Sequence, residues 1–355
     1  MIKKISIDPD NVDYSLVRKA ANAIRDGSIV ALPTETVYGL AAFAENQKAV
    51  ERLYEIKQRP RAKPFAYVVD DSSTAIERYF APLTPFGHRL MEKFWPGPIT
   101  IIYHSQKDEK IGVRVPSHAV TQEVLKMVRA GVYLPSANIT GKPEATSAQD
   151  VETAFDGKID LIVDGGESFY GQPSTVIDLT YHPFNVLREG VISENEIIEV
   201  FIRKRVLFVC TGNTCRSPMA EALLKKYLTE AKPYLIDRYD ISSCGISPFE
   251  GTPPAANVVS ILEQQEGLDV RGLSSRKIDR QAIMSSDLIF TMEDAQNDYI
   301  LRFEPTVEGR IFTLKKFLPP ELEKDIPDPI GKNYDVYREV YQLIRKAVLE
   351  LKEWL

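Results

Sequence analysis

Residues 206–218 read Val-Leu-Phe-Val-Cys-Thr-Gly-Asn-Thr-Cys-Arg-Ser-Pro, an apolar strand that runs into a cysteine, with Arg216 six positions after Cys210 and Ser217 next to it. Five residues between Cys210 and Arg216 curl so that their backbone N–H groups converge on one point, which suits an oxyanion. Gly212 is expected to lend that loop its backbone freedom. Arg216 adds a planar fork of donors for two phosphate oxygens, and a helix opening at Ser217 adds the positive end of its dipole. A thiolate held there can attack phosphorus and form a phosphocysteine. Taken alone, C-x5-R is also compatible with a buried cysteine followed by a helix-start cation; the strand, Gly212, Asn213 and Ser217 together favour the phosphate loop.

Such a loop needs a proton donor for the leaving group. Ile326-Pro327-Asp328-Pro329-Ile330-Gly331 supplies Asp328 on a segment stiffened by two prolines. A plain Pro-Asp-Pro turn is the competing reading, and pairing with the cysteine loop favours the acid.

With these residues in place, 205–355 resembles a low-molecular-weight protein tyrosine phosphatase. The resemblance implies Cys210 as nucleophile, Arg216 as phosphate clamp, Asn213 as loop brace, Ser217 as hydrogen-bond donor to the thiolate and Asp328 as acid, with no cofactor. Thr214 stands where tyrosine-specific members carry a bulky aliphatic residue, and Ile330-Gly331 where they carry aromatics. Both departures resemble the protein-arginine phosphatase branch, so phosphoarginine is expected over phosphotyrosine. Cys215 is placed to form a reversible disulfide with Cys210, or else is a small buried side chain. Arsenate reductases of this fold need later cysteines, and none follows Cys244.

At 355 residues the chain has room for two domains. Its 44% hydrophobic and 26% charged residues are ordinary for a soluble globular protein. Four scattered histidines and three cysteines without a C-x-x-C pair indicate no metal site. The start, Met-Ile-Lys-Lys-Ile-Ser-Ile-Asp, lacks a signal-peptide core, and no apolar run reaches the roughly 18 residues that span a bilayer. A cytoplasmic location and no membrane association are expected, consistent with a free catalytic thiol. A net charge of −6 argues against extensive nonspecific nucleic-acid binding.

After the loop, a helix is expected over 217–229, a strand near 238–242, a helix near 254–265 and a strand at 287–290. That alternation predicts a parallel sheet flanked by helices. Val336, Val340, Ile344, Val348 and Leu351 predict the buried stripe of a terminal helix. Upstream, strand-like segments at 28–32, 65–69, 99–103, 112–115 and 161–164 predict one α/β sheet, and a linker is placed within 191–204.

The upstream half carries a series of polar turns against these strands. Pro33-Thr34-Glu35-Thr36-Val37-Tyr38-Gly39 ends the first strong strand, and Lys57-Gln58-Arg59-Pro60-Arg61-Ala62-Lys63-Pro64 packs four cations into seven positions. Such a run is commonly a solvated loop, but prolines that pre-order the cations suit a polyphosphate. Phe-Trp-Pro-Gly-Pro at 94–98, Arg-Val-Pro-Ser-His at 114–118, Ser136-Ala137-Asn138 and Ser174-Thr175-Val176 follow in order.

Residues 10–190 resemble, through these motifs in register, the YrdC-like threonylcarbamoyl-AMP synthase family. The resemblance implies synthesis of threonylcarbamoyl-AMP and pyrophosphate from L-threonine, bicarbonate and Mg-ATP, for threonylcarbamoyl modification of tRNA adenosine, with possible handover to tRNA-modification proteins. Thr36, Arg114, Ser136 and Ser174 would hold threonine; Lys57, Arg59, Lys63, Asn138, Thr146 and Arg188 would meet the nucleotide; Mg2+ would come with ATP and have no dedicated protein site. Ala41, Val68 and Lys110 depart from residues common in the family.

The expected architecture is therefore α/β throughout: a YrdC-like twisted sheet domain over 1–195 and a phosphatase domain over 205–355. Besides a two-headed enzyme, two arrangements stay open. One is a phosphatase carrying a non-catalytic nucleotide- or RNA-binding module, and the other a synthase whose phosphate loop is a regulatory sensor.

Overall fold

The computed structural model describes residues 2–322 and 324–355. The chain divides into two compact units, Met1–Leu83 with Arg89–Ile198, and Thr84–His88 with Glu199–Leu355.

In the first unit the strands are β1 (Lys3–Ser6), β2 (Val30–Leu32), β3 (Gly39–Phe43), β4 (Tyr67–Val68), β5 (Ile99–His104), β6 (Lys110–Arg114), β7 (Val132–Tyr133), β8 (Leu161–Asp164), β9 (Thr175–Asp178) and β10 (Asn185–Arg188). They form one mixed sheet in the order β1-β8-β2-β3-β7-β4-β6-β5-β9-β10. Residue alternation along β2 shows how it is covered. Val30 and Leu32 face helices Tyr14–Arg25 and Ala119–Val128, while Ile29 and Ala31 face helices Gln47–Lys57 and Ala148–Phe155. The five expected strand segments are β2, β4, β5, β6 and β8. The others were not expected: β3, Gly-Leu-Ala-Ala-Phe, is buried but has little intrinsic strand preference, and is held by pairing to β2 and β7.

The segment 191–204, expected to be a linker, contains helix Glu194–Ile202. Its apolar residues Ile192, Ile197 and Val200 are buried, which a solvated connection would not do.

The second unit holds β11 (Lys204–Cys210), β12 (Tyr239–Gly245), β13 (Leu288–Thr291) and β14 (Ile311–Thr313) in the order β12-β11-β13-β14, every pairing parallel. β11 is apolar on both sides because both are covered. Val206, Phe208 and Cys210 pack with helices Arg216–Ala231, Ala256–Glu266 and Tyr334–Trp354, and Leu207 and Val209 pack with Ile283, Ile300 and Val307.

The terminal helix starts at Asn333, whose side chain accepts from the Val336 amide. Its buried face is Tyr337, Val340, Tyr341, Ile344, Ala347, Val348 and Leu351. Val336, expected in that stripe, is half-buried; the face is rotated toward the two tyrosines. Tyr341 explains part of the rotation. Its hydroxyl donates to Glu266, which also accepts from Lys226 Nζ at 2.7 Å, Tyr227 Oη at 2.7 Å and Arg345 Nε at 3.1 Å. Burial would push this carboxyl up, but the hydrogen bonds from Lys226, Tyr227 and Tyr341 outweigh it and hold Glu266 at about 2. One carboxylate thus ties three helices together.

Two candidate active sites

Cys210 ends β11 between β12 and β13, so the loop after it opens at the point where strand order reverses. Its Sγ lies 3.0 Å from Ser217 Oγ and accepts the Asn213 N–H at 3.2 Å. The strained backbone position is Asn213, with φ of +52°, and not Gly212, where the sequence placed it.

Asn213 is held at every polar atom of its side chain. Nδ2 donates to Ser217 Oγ and Ser243 Oγ, both at 2.9 Å, and Oδ1 accepts the Arg276 N–H at 2.9 Å. Ser217 Oγ therefore accepts from Asn213, and its own proton is left for Cys210 Sγ or for the Cys244 carbonyl at 3.3 Å. β12 closes tightly on the loop: a Cβ at Gly245 would sit 2.8 Å from the Thr211 carbonyl.

Arg216 is the first residue of its helix, one position before the expected start, and its side chain is 1% exposed. The guanidinium donates to the Asp328 and Glu293 carboxylates and to the Ile326 carbonyl at 2.9 Å, while its Nε is buried without a hydrogen-bond partner. Asp328 and Arg216, singled out separately in the sequence, thus come together. Glu293 was not anticipated; in sequence it is the start of helix Asp294–Phe303, where Glu293 and Gln296 form a capping box.

Thr214 is half-buried, with its Oγ1 3.6 Å from Cys215 Sγ, and Ile330 is exposed. Cys210, Cys215 and Cys244 are all free and buried, and burial raises the thiols of Cys215 and Cys244.

The second site is a cleft of about 470 Å³ in the first unit. Alternation puts Lys110, Gly112 and Arg114 of β6 on one face, and Ser174, Val176 and Asp178 line the same cleft from β9. Arg114 donates to Glu35 Oε1 at 2.6 Å, to Thr36 Oγ1 at 2.9 Å and to the Gly97 carbonyl at 3.2 Å. Glu35 in turn accepts the Ser117 N–H at 3.0 Å. Three of the sequence motifs therefore meet on one guanidinium, and Glu35, unassigned in sequence, aims it.

Thr36, Arg114, Ser136 and Ser174 all line the cleft. Ser174 Oγ is 3.0 Å from Thr100 Oγ1, and its carbonyl accepts from Arg188 at 2.8 and 3.0 Å. Arg59, Lys63 and Arg188 line it too. Arg59 is held by the carbonyls of Lys63 and Pro64 and lies 5.1 Å over the Phe65 ring.

Three residues expected at the nucleotide, Lys57, Asn138 and Thr146, are engaged within the chain. Lys57 is 2% exposed and its Nζ is spent on the Ser136 carbonyl at 2.5 Å, the Asn138 carbonyl at 2.8 Å and Asn138 Oδ1 at 3.1 Å. Burial, and then the charge of Arg59, lowers its ammonium to about 8. Asn138 is the other half of that brace, and accepts Ser136 Oγ at 2.8 Å. Thr146 hydrogen-bonds Asp150, which caps helix Ala148–Phe155. None of the three lines the cleft.

Residues 22–190 match the Sua5/YciO/YrdC family model, described as telomere recombination, and residues 205–355 match the model described as low molecular weight phosphotyrosine protein phosphatase. The threonylcarbamoyl-AMP synthase of Pyrococcus abyssi is 38% identical over 206 residues, covering 56% of this chain and 60% of that protein. The chain thus spans less than two thirds of that relative. The threonylcarbamoyl-AMP synthase of Schizosaccharomyces pombe is 30% identical over 300 residues, covering 69% of this chain and 72% of that one. A solved structure of a P. abyssi Sua5 variant superposes with a TM-score of 0.53 at 33% identity, over 64% of this chain and 77% of that chain. With the motifs converging on Arg114 and on Cys210, the chain belongs to the Sua5/YciO/YrdC family in its first part and to the low molecular weight phosphotyrosine protein phosphatase family in its second.

Proposed function

We propose that the chain is a two-headed enzyme. Its first unit makes threonylcarbamoyl-AMP and pyrophosphate from L-threonine, bicarbonate and ATP, for tRNA modification and handover to the proteins that complete it. The observation that carries this reading is Arg114, oriented by Glu35 and Thr36 in a cleft that Arg59 and Lys63 also line. Arg114 takes the threonine carboxylate; Thr36, Ser136 and Ser174 surround its polar groups. The threonine nitrogen attacks the bicarbonate carbon with loss of water to give threonylcarbamate, whose oxygen attacks the α-phosphate as the bond to the leaving pyrophosphate breaks, with Arg59, Lys63 and Arg188 offsetting the charge. Catalysis rests on orientation and charge stabilisation, by a route without a covalent enzyme intermediate. Mg2+ enters on the ATP phosphates; among the described residues no group of three acidic, histidine or cysteine side chains is arranged for a metal.

The second unit hydrolyses a phosphorylated protein side chain. Cys210 Sγ attacks phosphorus, Arg216 and the loop amides hold the oxygens, and Asp328 protonates the leaving atom. Water then attacks the phosphocysteine, Asp328 takes its proton, and phosphate departs. Thr214 and the aliphatic Ile330 support phosphoarginine over phosphotyrosine. No helix among the described residues is long and apolar enough to cross a membrane; the need for a reduced Cys210 supports the cytoplasm.

The test is pyrophosphate release from Mg-ATP and bicarbonate with and without L-threonine, the product identified by mass, in wild type and Cys210→Ser. Threonine-dependent release in both, and phosphatase activity in the wild type alone, is expected. Release indifferent to threonine would leave the first unit a binding module. For the second unit, Thr214→Ile should shift preference toward phosphotyrosine peptides, and an unchanged preference would refute the phosphoarginine assignment.

A further inference from the structure

The loop that carries Asp328 is tied down on its upstream side. Ile326 is fully buried; its N–H donates to the Met292 carbonyl at 3.0 Å, and its own carbonyl accepts from Arg216 at 2.9 Å. Asp325, one residue earlier, turns its carboxylate back to the start of helix Asp294–Phe303. It accepts the Asp294 N–H at 3.3 and 3.4 Å and the Lys315 ammonium at 3.0 Å.

Lys315 stands on the short turn Leu314–Phe317 that follows β14, and its ammonium bridges two carboxylates, Asp294 and Asp325. Asp294 is anchored in turn. Its Oδ1 accepts the Thr313 hydroxyl at 2.6 Å, Thr313 Oγ1 accepts from Asn297 Nδ2 at 3.0 Å, and Asn297 Oδ1 accepts the Thr291 hydroxyl at 2.6 Å. Thr291 and Thr313 are buried register partners on β13 and β14. A continuous chain of hydrogen bonds therefore leads from the sheet, through Lys315, to the base of the Asp328 loop. Hydrogen bonds from Lys315 and Thr313 hold the Asp294 carboxyl below its ordinary value, and Asp294 and Asp325 raise the Lys315 ammonium.

This tether acts against the ion pair between Asp328 and Arg216. A carboxylate beside a fixed guanidinium is drawn onto it, whereas a proton donor has to stand over the leaving atom. The Asp328 side chain is 36% exposed, so packing alone does not fix it. Pro327 locks one φ between Asp325 and Asp328, and the point at which Asp325 is held therefore sets where the acid stands. We propose that Lys315 is a positioning residue for the phosphatase reaction: it holds Asp325 and through it sets the reach of Asp328 over the leaving atom. This rests on the phosphatase reading above, in which Asp328 is the acid.

The experiment measures kcat/KM of the full chain on two aryl phosphates. Phenyl phosphate expels a basic phenoxide that needs a proton, and 2,4-dinitrophenyl phosphate expels one that leaves without it. The variants are Lys315→Met, Asp325→Asn and Lys315→Arg, with Asp328→Asn as reference. Lys315→Met and Asp325→Asn should each lose about tenfold on phenyl phosphate and less than about twofold on the dinitrophenyl ester, with Lys315→Arg near wild type on both. Equal losses on the two esters would mean a general disturbance of the loop, and no loss on either would mean an idle ion pair; each overturns the proposal. If Asp328→Asn separates the esters and Lys315→Met does not, the tether alone fails. If Asp328→Asn treats both esters alike, the acid role on which the tether rests is refuted.

Discussion

Replacing Lys57 with methionine separates a brace from a nucleotide contact. The ammonium donates three hydrogen bonds to the 136–138 turn, and charge-assisted bonds of this kind contribute about 1.5–3 kcal/mol each. Burial opposes them: holding the group at about 8 against its ordinary 10.5 costs about 3 kcal/mol. Methionine removes that cost but leaves three acceptors unpaired, at about 2 kcal/mol each or about 6 kcal/mol together. We expect a net loss of roughly 3 kcal/mol, or about 6–12 °C in the melting of a unit of this size. Because Ser136 rides on the same turn, the threonine KM should rise more than the ATP KM. Calorimetry of the full chain and steady-state kinetics read both. An unmoved transition with a raised ATP KM would refute the brace and return Lys57 to the nucleotide.

Glu266 carries stability that depends on acid. Its carboxyl is held at about 2 against an ordinary 4.5, so the contribution is whole above 4.5 and is lost as pH falls toward 2, a change of about 3 kcal/mol. In Glu266→Gln, unfolding free energies from urea titrations at about pH 5 and about pH 2.5 should differ by about 2 kcal/mol less than in wild type. Gly245→Ala drives a methyl into the Thr211 carbonyl and displaces the loop, so phosphatase kcat should fall at least about tenfold while synthase activity stays unchanged. Glu35→Gln removes the charge that aims Arg114; the threonine KM should rise about tenfold with the ATP KM nearly constant, measured by threonine-dependent pyrophosphate release.

The phosphate loop was legible because its chemistry is local, with Cys210, Asn213, Arg216 and Ser217 lying within eight consecutive positions. Glu293 was not, since it reaches Arg216 across 77 positions and carries its own helix-start signal. Lys57 was grouped with the nucleotide residues because it adjoins Arg59 in a cationic run, and its bracing of the 136–138 turn was not read there. A signal was present: Ala49, Leu53 and Lys57 recur at helical spacing and are the buried face of their helix. Lys110 stood out only as an unusual residue, and its hydrogen bond to Asp178 depends on β6 and β9 flanking β5 in the sheet. Short strands such as β7 and β10 left no trace, because two to four residues cannot display a period and their partners lie far along the chain.

Asn213 meets two demands that no other side chain meets together. Glycine would accept its left-handed backbone but drop all three side-chain hydrogen bonds, aspartate would accept the backbone but could not donate to both serines, and glutamine offers the same amide on a longer stem less suited to that φ. A C-x5-R stretch with any other residue at the third place after the cysteine would therefore need a differently built loop, which makes this one amide a filter for deciding which look-alike sequences share this thiol environment.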